Sequence, residues 1–163
     1  MAFSARLDFT LFTINDDGIF RGDGGTLTQI ARGGQETPDL DGLLLKFVRP
    51  ALNDAGQVAF AAYLVFTVDM NDDNMGVFRS NGDTLTQIAR KGQAAPDGNG
   101  TFSAFGDPAI NDAGQVMFRG QLFGTAGMDD DSRGIFLGDG QEIITAAREG
   151  QPLEGSMILT IRR

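Results

Sequence analysis

A repeated module constrains the fold of this chain more than any other feature of its sequence. Triplets of the form Gly-Ile-Phe or Gly-Val-Phe begin at Gly18, Gly76 and Gly134, which are separated by 58 residues each time. The same spacing relates three longer segments: Ala31–Gln35, Ala89–Gln93 and Ala147–Gln151. Because the spacing is constant, we expect three equivalent units in one domain that covers residues 1–163. The approximate bounds are 1–42, 43–100 and 101–155 for the units, and 156–163 for a final strand.

A polar Asn-Asp-Ala-Gly segment, flanked on both sides by alternating apolar residues, occurs twice in the sequence. This pattern predicts two strands joined by a tight turn. Gly56 and Gly114 are expected to take the positive φ that such a turn often requires, and Asn53 and Asn111 to brace it through hydrogen bonds to the backbone. We therefore interpret these four residues as structural rather than ligand-binding.

Four strands are predicted in each unit, and no segment holds an apolar helical period for three turns. The first strands are Ala2–Leu7, Gln57–Val65 and Gln115–Phe123, and the second are Gly18–Arg21, Met75–Arg79 and Gly134–Leu137. The third strands are Thr26–Ala31, Thr84–Ala89 and Glu142–Ala147, and the fourth are Leu43–Leu52, Thr101–Ile110 and Ser156–Arg163. Tight turns join fourth to first and second to third, so the expected sheet order is fourth–first–second–third.

Such four-stranded sheets, each passing to the next through one long loop, are typical of β-propeller blades. The predicted class is therefore all-β with three propeller-type blades, in which the strand 156–163 completes the first blade by pairing with residues 2–7. Rings of about four to eight blades are usual. Three blades thus indicate either a homodimer that forms a six-bladed ring or a part of a longer array. A β-trefoil, which also has twelve strands in three units, is the alternative fold.

The composition excludes several classes of function. With 22 acidic and 13 basic residues the net charge is −9, which argues against nucleic acid or an anionic membrane as a partner. The absence of histidine and cysteine excludes a Ser-His-Asp triad, thiolate metal sites and disulfides. No apolar run approaches the roughly 20 residues of a membrane span, and the N-terminus lacks the layout of a signal peptide.

The strings from Asn53 to Phe60 and from Asn111 to Phe118 resemble the repeats of the bacterial NxxGxxAF tandem-repeat proteins, which are largely uncharacterised. The likeness extends over the whole chain at the level of the repeat. Met117 departs from the alanine of that motif, and the first unit keeps only Ala2 and Phe3. Many of those proteins carry surface-anchoring segments, so the resemblance implies an extracellular or cell-surface location and no particular activity. They usually contain more repeats, which favours the oligomer or the longer parent protein.

Acidic loops between the first and second strands are candidate cation sites. In the middle unit Asp69, Asn71 and Asp73 alternate as the oxygen ligands of a calcium loop do. The loops lack the EF-hand spacing and its distal glutamate. The competing interpretation is a solvated loop whose charge discourages pairing of sheet edges.

Arg32, Arg90 and Arg148 follow the third strand of each unit. A functional interpretation places them at an anion or glycan site. The structural interpretation, favoured by their repetition, is that each guanidinium ties down the long loop through backbone carbonyls or a carboxylate.

An enzyme would have to rely on carboxylates alone, as glycosidases do. The candidates are Asp41, Asp54, Asp107 and Asp112, and nothing in the sequence pairs them. We therefore predict a structural or interaction scaffold without catalytic activity or a required cofactor. The alternative is a module that binds a glycan or calcium at equivalent sites in each unit.

Overall fold

The structure, a computed structural model, describes residues 1–7, 16–153 and 157–158. These residues form strands and turns, with one short 3-10 turn at Met128–Asp130 and no α-helix among them. The prediction of an all-β protein is therefore confirmed.

Two antiparallel sheets account for the first half of the chain. The N-terminal sheet contains β1 (Ala2–Arg6), β2 (Asp17–Gly22) and β3 (Leu27–Arg32) in the order β1-β2-β3. The central sheet contains β4 (Leu43–Leu52), β5 (Val58–Val65), β6 (Met75–Ser80) and β7 (Leu85–Arg90) in the order β4-β5-β6-β7. Since β4 is the fourth strand of its unit, this is the expected order, fourth–first–second–third.

The remaining strands form a third sheet and a short hairpin. The C-terminal sheet contains β8 (Thr101–Phe105), β9 (Ala109–Ile110), β10 (Val116–Phe123), β11 (Arg133–Gly138) and β12 (Ile143–Arg148). Its order is β12-β11-β10-β8, and β9 also pairs with β10. The hairpin contains β13 (Pro152–Leu153) and β14 (Met157–Ile158). None of the sheets formed by the described residues closes on itself, so the propeller ring and the trefoil both stay predictions.

The predicted closing strand lies mostly outside the described residues. Its described part, Met157–Ile158, pairs with Pro152–Leu153. Within the described part of the chain, β1 pairs only with β2. Pairing of the strand 156–163 with residues 2–7 therefore stays a prediction.

The predicted strand Thr101–Ile110 is split into β8 and β9, because an extra residue interrupts its pairing with β10. Phe105 pairs with Gly120 and Ala109 with Met117, so three residues on one strand face two on the other. Pro108 has no N–H to donate and lies in this interruption, as Pro50 lies in the equivalent irregularity of β4. A β-bulge thus accommodates both prolines.

Each Gly-Ile/Val-Phe triplet packs an aromatic ring over the glycine of its own strand. A methyl group placed on Gly76 would lie 2.7 Å from Cε2 of Phe78, and one placed on Gly134 would lie 2.7 Å from Cζ of Phe136. The glycine is therefore needed because any larger residue would occupy the space of the ring. This contact explains why both members of the triplet recur.

We expect Gly76→Ala to lower the free energy of unfolding by about 1–3 kcal/mol, since overpacking displaces the ring of Phe78. Chemical denaturation would measure the change. Gly25→Ala is the matched control, because its methyl group would have only an ordinary contact of 3.6 Å with Asp23. Equal stability of the two variants would contradict the packing role of Gly76.

The sheets pack face to face, with one apolar cluster at each interface. Ile19 and Ile30 of the N-terminal sheet belong to the same buried cluster as Phe60 and Phe78 of the central sheet. The opposite face of the central sheet contributes Ala59, Val77 and Ile88 to a second cluster with Phe118 and Phe136. At both interfaces, therefore, a face that carries isoleucine, valine or alanine packs against the phenylalanine face of the next sheet.

Candidate functional site

The two Asn-Asp-Ala-Gly turns are braced by their own side chains. Gly56 N–H donates to the carbonyl of Asn53, and Gly56 has a φ of 79°. The side-chain Oδ1 of Asn53 accepts the N–H of Gln57 at 2.8 Å, while its Nδ2 donates to Oε1 of Gln57 at 2.9 Å. Asn111 makes the same pair of bonds to Gln115 in the next unit. These contacts fit a three-residue hairpin loop with a left-handed glycine.

The same turns also connect one sheet to the next, a role that the sequence interpretation missed. Nδ2 of Asn53 donates to the carbonyl of Asn111 at 2.9 Å, and the N–H of Asp54 donates to Oδ1 of Asp112 at 3.0 Å. Arg79 donates from Nη1 to the carbonyl of Gly114. The equivalent bond joins Arg21 to Gly56. The available signal was the spacing of Arg21 and Arg79, which equals the repeat length.

Arg90, at the end of β7, holds two loops of the central sheet together. Its Nε donates to the carbonyl of Asp73 at 2.8 Å. Nη1 donates to Oδ2 of Asp39 at 2.8 Å, and Nη2 donates to the carbonyl of Asp41 at 2.6 Å. Only 8% of the Arg90 side chain is exposed. We call this arrangement an arginine clasp, because one guanidinium joins the crossing loop 33–42 to the loop 66–74.

A second clasp repeats these contacts in the C-terminal sheet. Arg148 donates to the carbonyl of Asp131 at 2.9 Å, to Oδ2 of Asp97 at 2.5 Å and to the carbonyl of Asn99 at 2.7 Å. Backbone carbonyls accept two of the bonds, so Asn99 replaces Asp41 without loss of the contact. In both clasps the guanidinium contacts backbone carbonyls and a carboxylate, which are the contacts named in the structural interpretation of these arginines.

The glutamines of the repeated segments have a local role beside the arginines. The backbone N–H of each arginine donates to the Oε1 of the glutamine three residues later. The pairs are Arg32 with Gln35 at 3.3 Å, Arg90 with Gln93 at 3.1 Å and Arg148 with Gln151 at 3.2 Å. Each glutamine therefore stabilises the turn that follows the third strand.

The clasp carboxylates have lowered pKa values. For Asp39, burial acts to raise the pKa, but hydrogen bonding from Thr37 and the charge of Arg90 outweigh it. For Asp131, the largest cause is the hydrogen bond from Thr125, which lowers the pKa against the opposing effect of burial. The pKa values of Asp73 and Asp97 are shifted in the same direction. The ionised carboxylates are therefore stabilised by the folded structure.

These shifts predict a loss of stability in acid. Groups whose native pKa lies below the value of about 3.9 in the unfolded chain stabilise the fold above that pH and lose this contribution as pH falls through their native pKa. We expect the free energy of unfolding, measured in urea, to be nearly constant from about pH 7 to 5 and to fall below about pH 4. Arg90→Met should make the fall shallower. Rising stability between about pH 5 and 3 would contradict this assignment.

The carboxylate of Asp73, one of the three proposed calcium ligands, is engaged within the protein. Oδ2 of Asp73 accepts the N–H of Asp69 at 3.2 Å and lies 3.5 Å from Nη2 of Arg90. The carbonyl of Asn71 accepts a hydrogen bond from Nζ of Lys91. In the described part of the chain, no group of three or more acidic side chains is arranged to hold a metal ion. Calcium binding therefore stays a prediction.

Three of the four carboxylates considered for catalysis, those of Asp41, Asp107 and Asp112, make structural contacts. Oδ1 of Asp41 accepts the N–H of Val68 at 2.8 Å, and Asp107 forms a 2.7 Å ion pair with Arg49. Asp54 and Asp112 meet at the turn-to-turn contact.

Over the described residues, no helix is long and apolar enough to cross a membrane.

Comparison with known proteins gives a family and no activity. No curated protein and no solved structure matches the chain. A family of unknown function, DUF7453, matches residues 1–161. Because that match spans nearly the whole sequence, the chain belongs to the DUF7453 family.

Proposed function

We propose that the chain is a structural or interaction scaffold, a series of packed sheets that presents variable loops and performs no catalysis. The observation that carries this proposal is the repeated clasp, in which Arg90 and Arg148 make equivalent bonds to loops 58 residues apart. The polar residues that recur between units are thereby used to hold loops and sheets. Such a use is expected of a scaffold, whereas a binding module would direct its recurrent polar groups towards solvent.

The loops themselves supply an interaction surface. Phe66, Val68 and Met70 are 74%, 83% and 71% exposed on the loop between β5 and β6. Exposed apolar side chains on a loop that a clasp holds in place are suited to contact a protein partner. The resemblance to surface-anchored repeat proteins favours an extracellular setting for this contact.

The scaffold proposal predicts that these exposed loop residues can change without loss of the fold. We expect Phe66→Ser, Val68→Ser and Met70→Ser in combination to alter the free energy of unfolding by less than about 1 kcal/mol, because none of the side chains is buried. Chemical denaturation would measure this. A global loss of structure in the triple variant would contradict the separation of loops from framework.

Ligand titration tests the proposal against a binding module. Calorimetry and thermal unfolding with calcium, and with a panel of soluble glycans, should show no saturable binding. A thermal shift with calcium that Asp69→Asn abolishes would overturn the scaffold in favour of a calcium-binding module. Saturable glycan binding would overturn it in the same way.

A further inference from the structure

Two large apolar residues of the central unit adopt a backbone conformation for which the C-terminal unit has glycine. Leu40 and Phe66 both have a φ of 59°, in the left-handed region. The residues 58 positions later are Gly98 and Gly124, with φ values of 72° and 71°. Leu40 and Gly98 each donate their N–H to the carbonyl three residues earlier, so the two turns have the same geometry.

Glycine would be the less costly residue at both positions. In the left-handed region Cβ approaches the backbone closely, which destabilises a side chain such as leucine or phenylalanine relative to glycine. Burial does not offset this cost, since Leu40 and Phe66 are 77% and 74% exposed. Backbone strain of this kind is concentrated at functional positions. The two side chains are therefore best explained by a contact with another molecule.

The two strained residues lie on loops that are bound to each other. Oδ1 of Asp41, the residue after Leu40, accepts the N–H of Val68 at 2.8 Å. The arginine clasp of the central sheet joins the same loops. Val68 is 83% exposed, so apolar side chains from both loops reach solvent. We call the exposed surface of loops 33–42 and 66–74 the clasp surface.

The clasp surface is acidic as well as apolar. Its two loops contain no lysine or arginine and six acidic residues, which are Glu36, Asp39, Asp41, Asp69, Asp72 and Asp73. Arg90 is only 8% exposed among three of these carboxylates. Nζ of Lys91 donates to the carbonyl of Asn71 and to Oδ1 of Asn74. The negative charge disfavours an anionic membrane and also a second copy of this chain, whose net charge is −9.

We propose that the clasp surface binds a protein partner through a segment that is both basic and apolar. Leu40 and Phe66 pack against the apolar side chains of that segment, and exposed carboxylates such as Glu36 and Asp72 pair with its lysines or arginines. Complementarity of charge selects this partner over an acidic one. The proposal rests on the scaffold function and specifies what the loops of the scaffold contact.

Replacement by glycine tests whether the two residues are strained. The double variant Leu40→Gly/Phe66→Gly gives both positions the residue of the C-terminal unit, and should raise the melting temperature by about 1–4 °C. Leu27→Gly is the matched control, since Leu27 is 63% exposed on β3 and glycine weakens a strand, so its melting temperature should fall. A double variant that melts no higher than the wild type would overturn the proposal.

Fluorescence anisotropy with a labelled synthetic peptide of alternating leucine and lysine tests the contact. We expect saturable binding to the wild-type chain with a dissociation constant below about 100 µM. The double glycine variant should bind about tenfold or more weakly, although its charge is unchanged. Leu27→Gly should bind as the wild type does. Equal affinity of the double variant and the wild type would show that charge alone drives binding, and would overturn the proposal.

The charged part of the contact has its own test. Glu36→Gln/Asp72→Asn should weaken binding of the leucine–lysine peptide and make the remaining affinity less sensitive to salt. The matching peptide of leucine and glutamate should not bind. Binding of both peptides with equal affinity would overturn the charge complementarity on which the choice of partner depends.

Other occupants of the clasp surface would give different results. A wild-type dimer in light scattering that the double glycine variant loses would assign the surface to a second copy. Binding to phosphatidylcholine vesicles that the same variant loses would assign it to a lipid surface. Either result, or a wild-type chain that does not bind the leucine–lysine peptide, would overturn the proposal. The scaffold function would survive all three, because it fails only if calcium or a glycan binds or the loops prove inseparable from the framework.

Discussion

Phe78→Ala is expected to lower the free energy of unfolding by about 3–5 kcal/mol, the largest effect we predict for a single substitution. The ring is 0% exposed and lies 5.8 Å from the ring of Phe60 in a stacked arrangement. Gly76 lies directly beneath the ring and has no side chain with which to fill the space. The cavity left by truncation would therefore persist, and the cost would include both the lost burial and the unfilled volume.

Urea or guanidinium denaturation followed by far-ultraviolet circular dichroism would measure this loss. Phe123→Ala is the matched control, because Phe123 is 76% exposed at the end of β10 and should change stability by less than about 0.5 kcal/mol. A loss below about 1 kcal/mol for Phe78→Ala would show that the sheets do not depend on this ring.

The order of strands within each sheet was predictable from the sequence, because it follows from local signals. Short polar turns join neighbouring strands, and the positive φ of Gly56 and Gly114 matches the turn that their sequence indicates. Because the units repeat, the same order of strands could then be assigned to each of them. The bulges at Pro50 and Pro108 were missed, although a proline within a predicted strand is a recognised sign of one.

Contacts between units could not be predicted, because they join residues that are distant in sequence. Arg79 and Gly114 are 35 residues apart, and Arg90 and Asp39 are 51 residues apart. Nothing local to either partner identifies the other. The acidic loop shows the consequence most clearly, since Asp73 suggested a cation ligand and the cation beside it in the structure is the guanidinium of Arg90.

The positions at which one unit differs from the others are also informative about packing. Identical residues in all units indicate packing within and between sheets, as Gly76 and Phe78 do. Leu137 stands at the position of Arg21 and Arg79, and it cannot make the bond that those two arginines make to the turn of the next sheet. Comparing units position by position on each face is therefore the step that sequence reasoning lacked, because the faces were unknown before the structure.

Arg90→Met is expected to lower the free energy of unfolding by about 2–3 kcal/mol. Its guanidinium makes three hydrogen bonds of 2.6–2.8 Å with both loops, and none of these can be replaced by a thioether. Loss of one partner of a buried ion pair costs about 3–5 kcal/mol. Here the carboxylates of Asp39 and Asp41 remain 40% and 31% exposed, so water can solvate them and reduce the cost.

Arg49→Met is the matched control for the clasp. Arg49 forms a shorter ion pair, 2.7 Å to Asp107, but the two side chains are 78% and 49% exposed, so we expect a change below about 0.5 kcal/mol. Arg90→Lys should recover little of the loss, because a single ammonium group cannot reach three acceptors held in the plane of a guanidinium. Hydrogen exchange should then accelerate first in loops 33–42 and 66–74, where the bonds are lost. Equal stability of Arg90→Met and Arg49→Met would show that the clasp does not hold the loops, and the scaffold proposal would lose its main support.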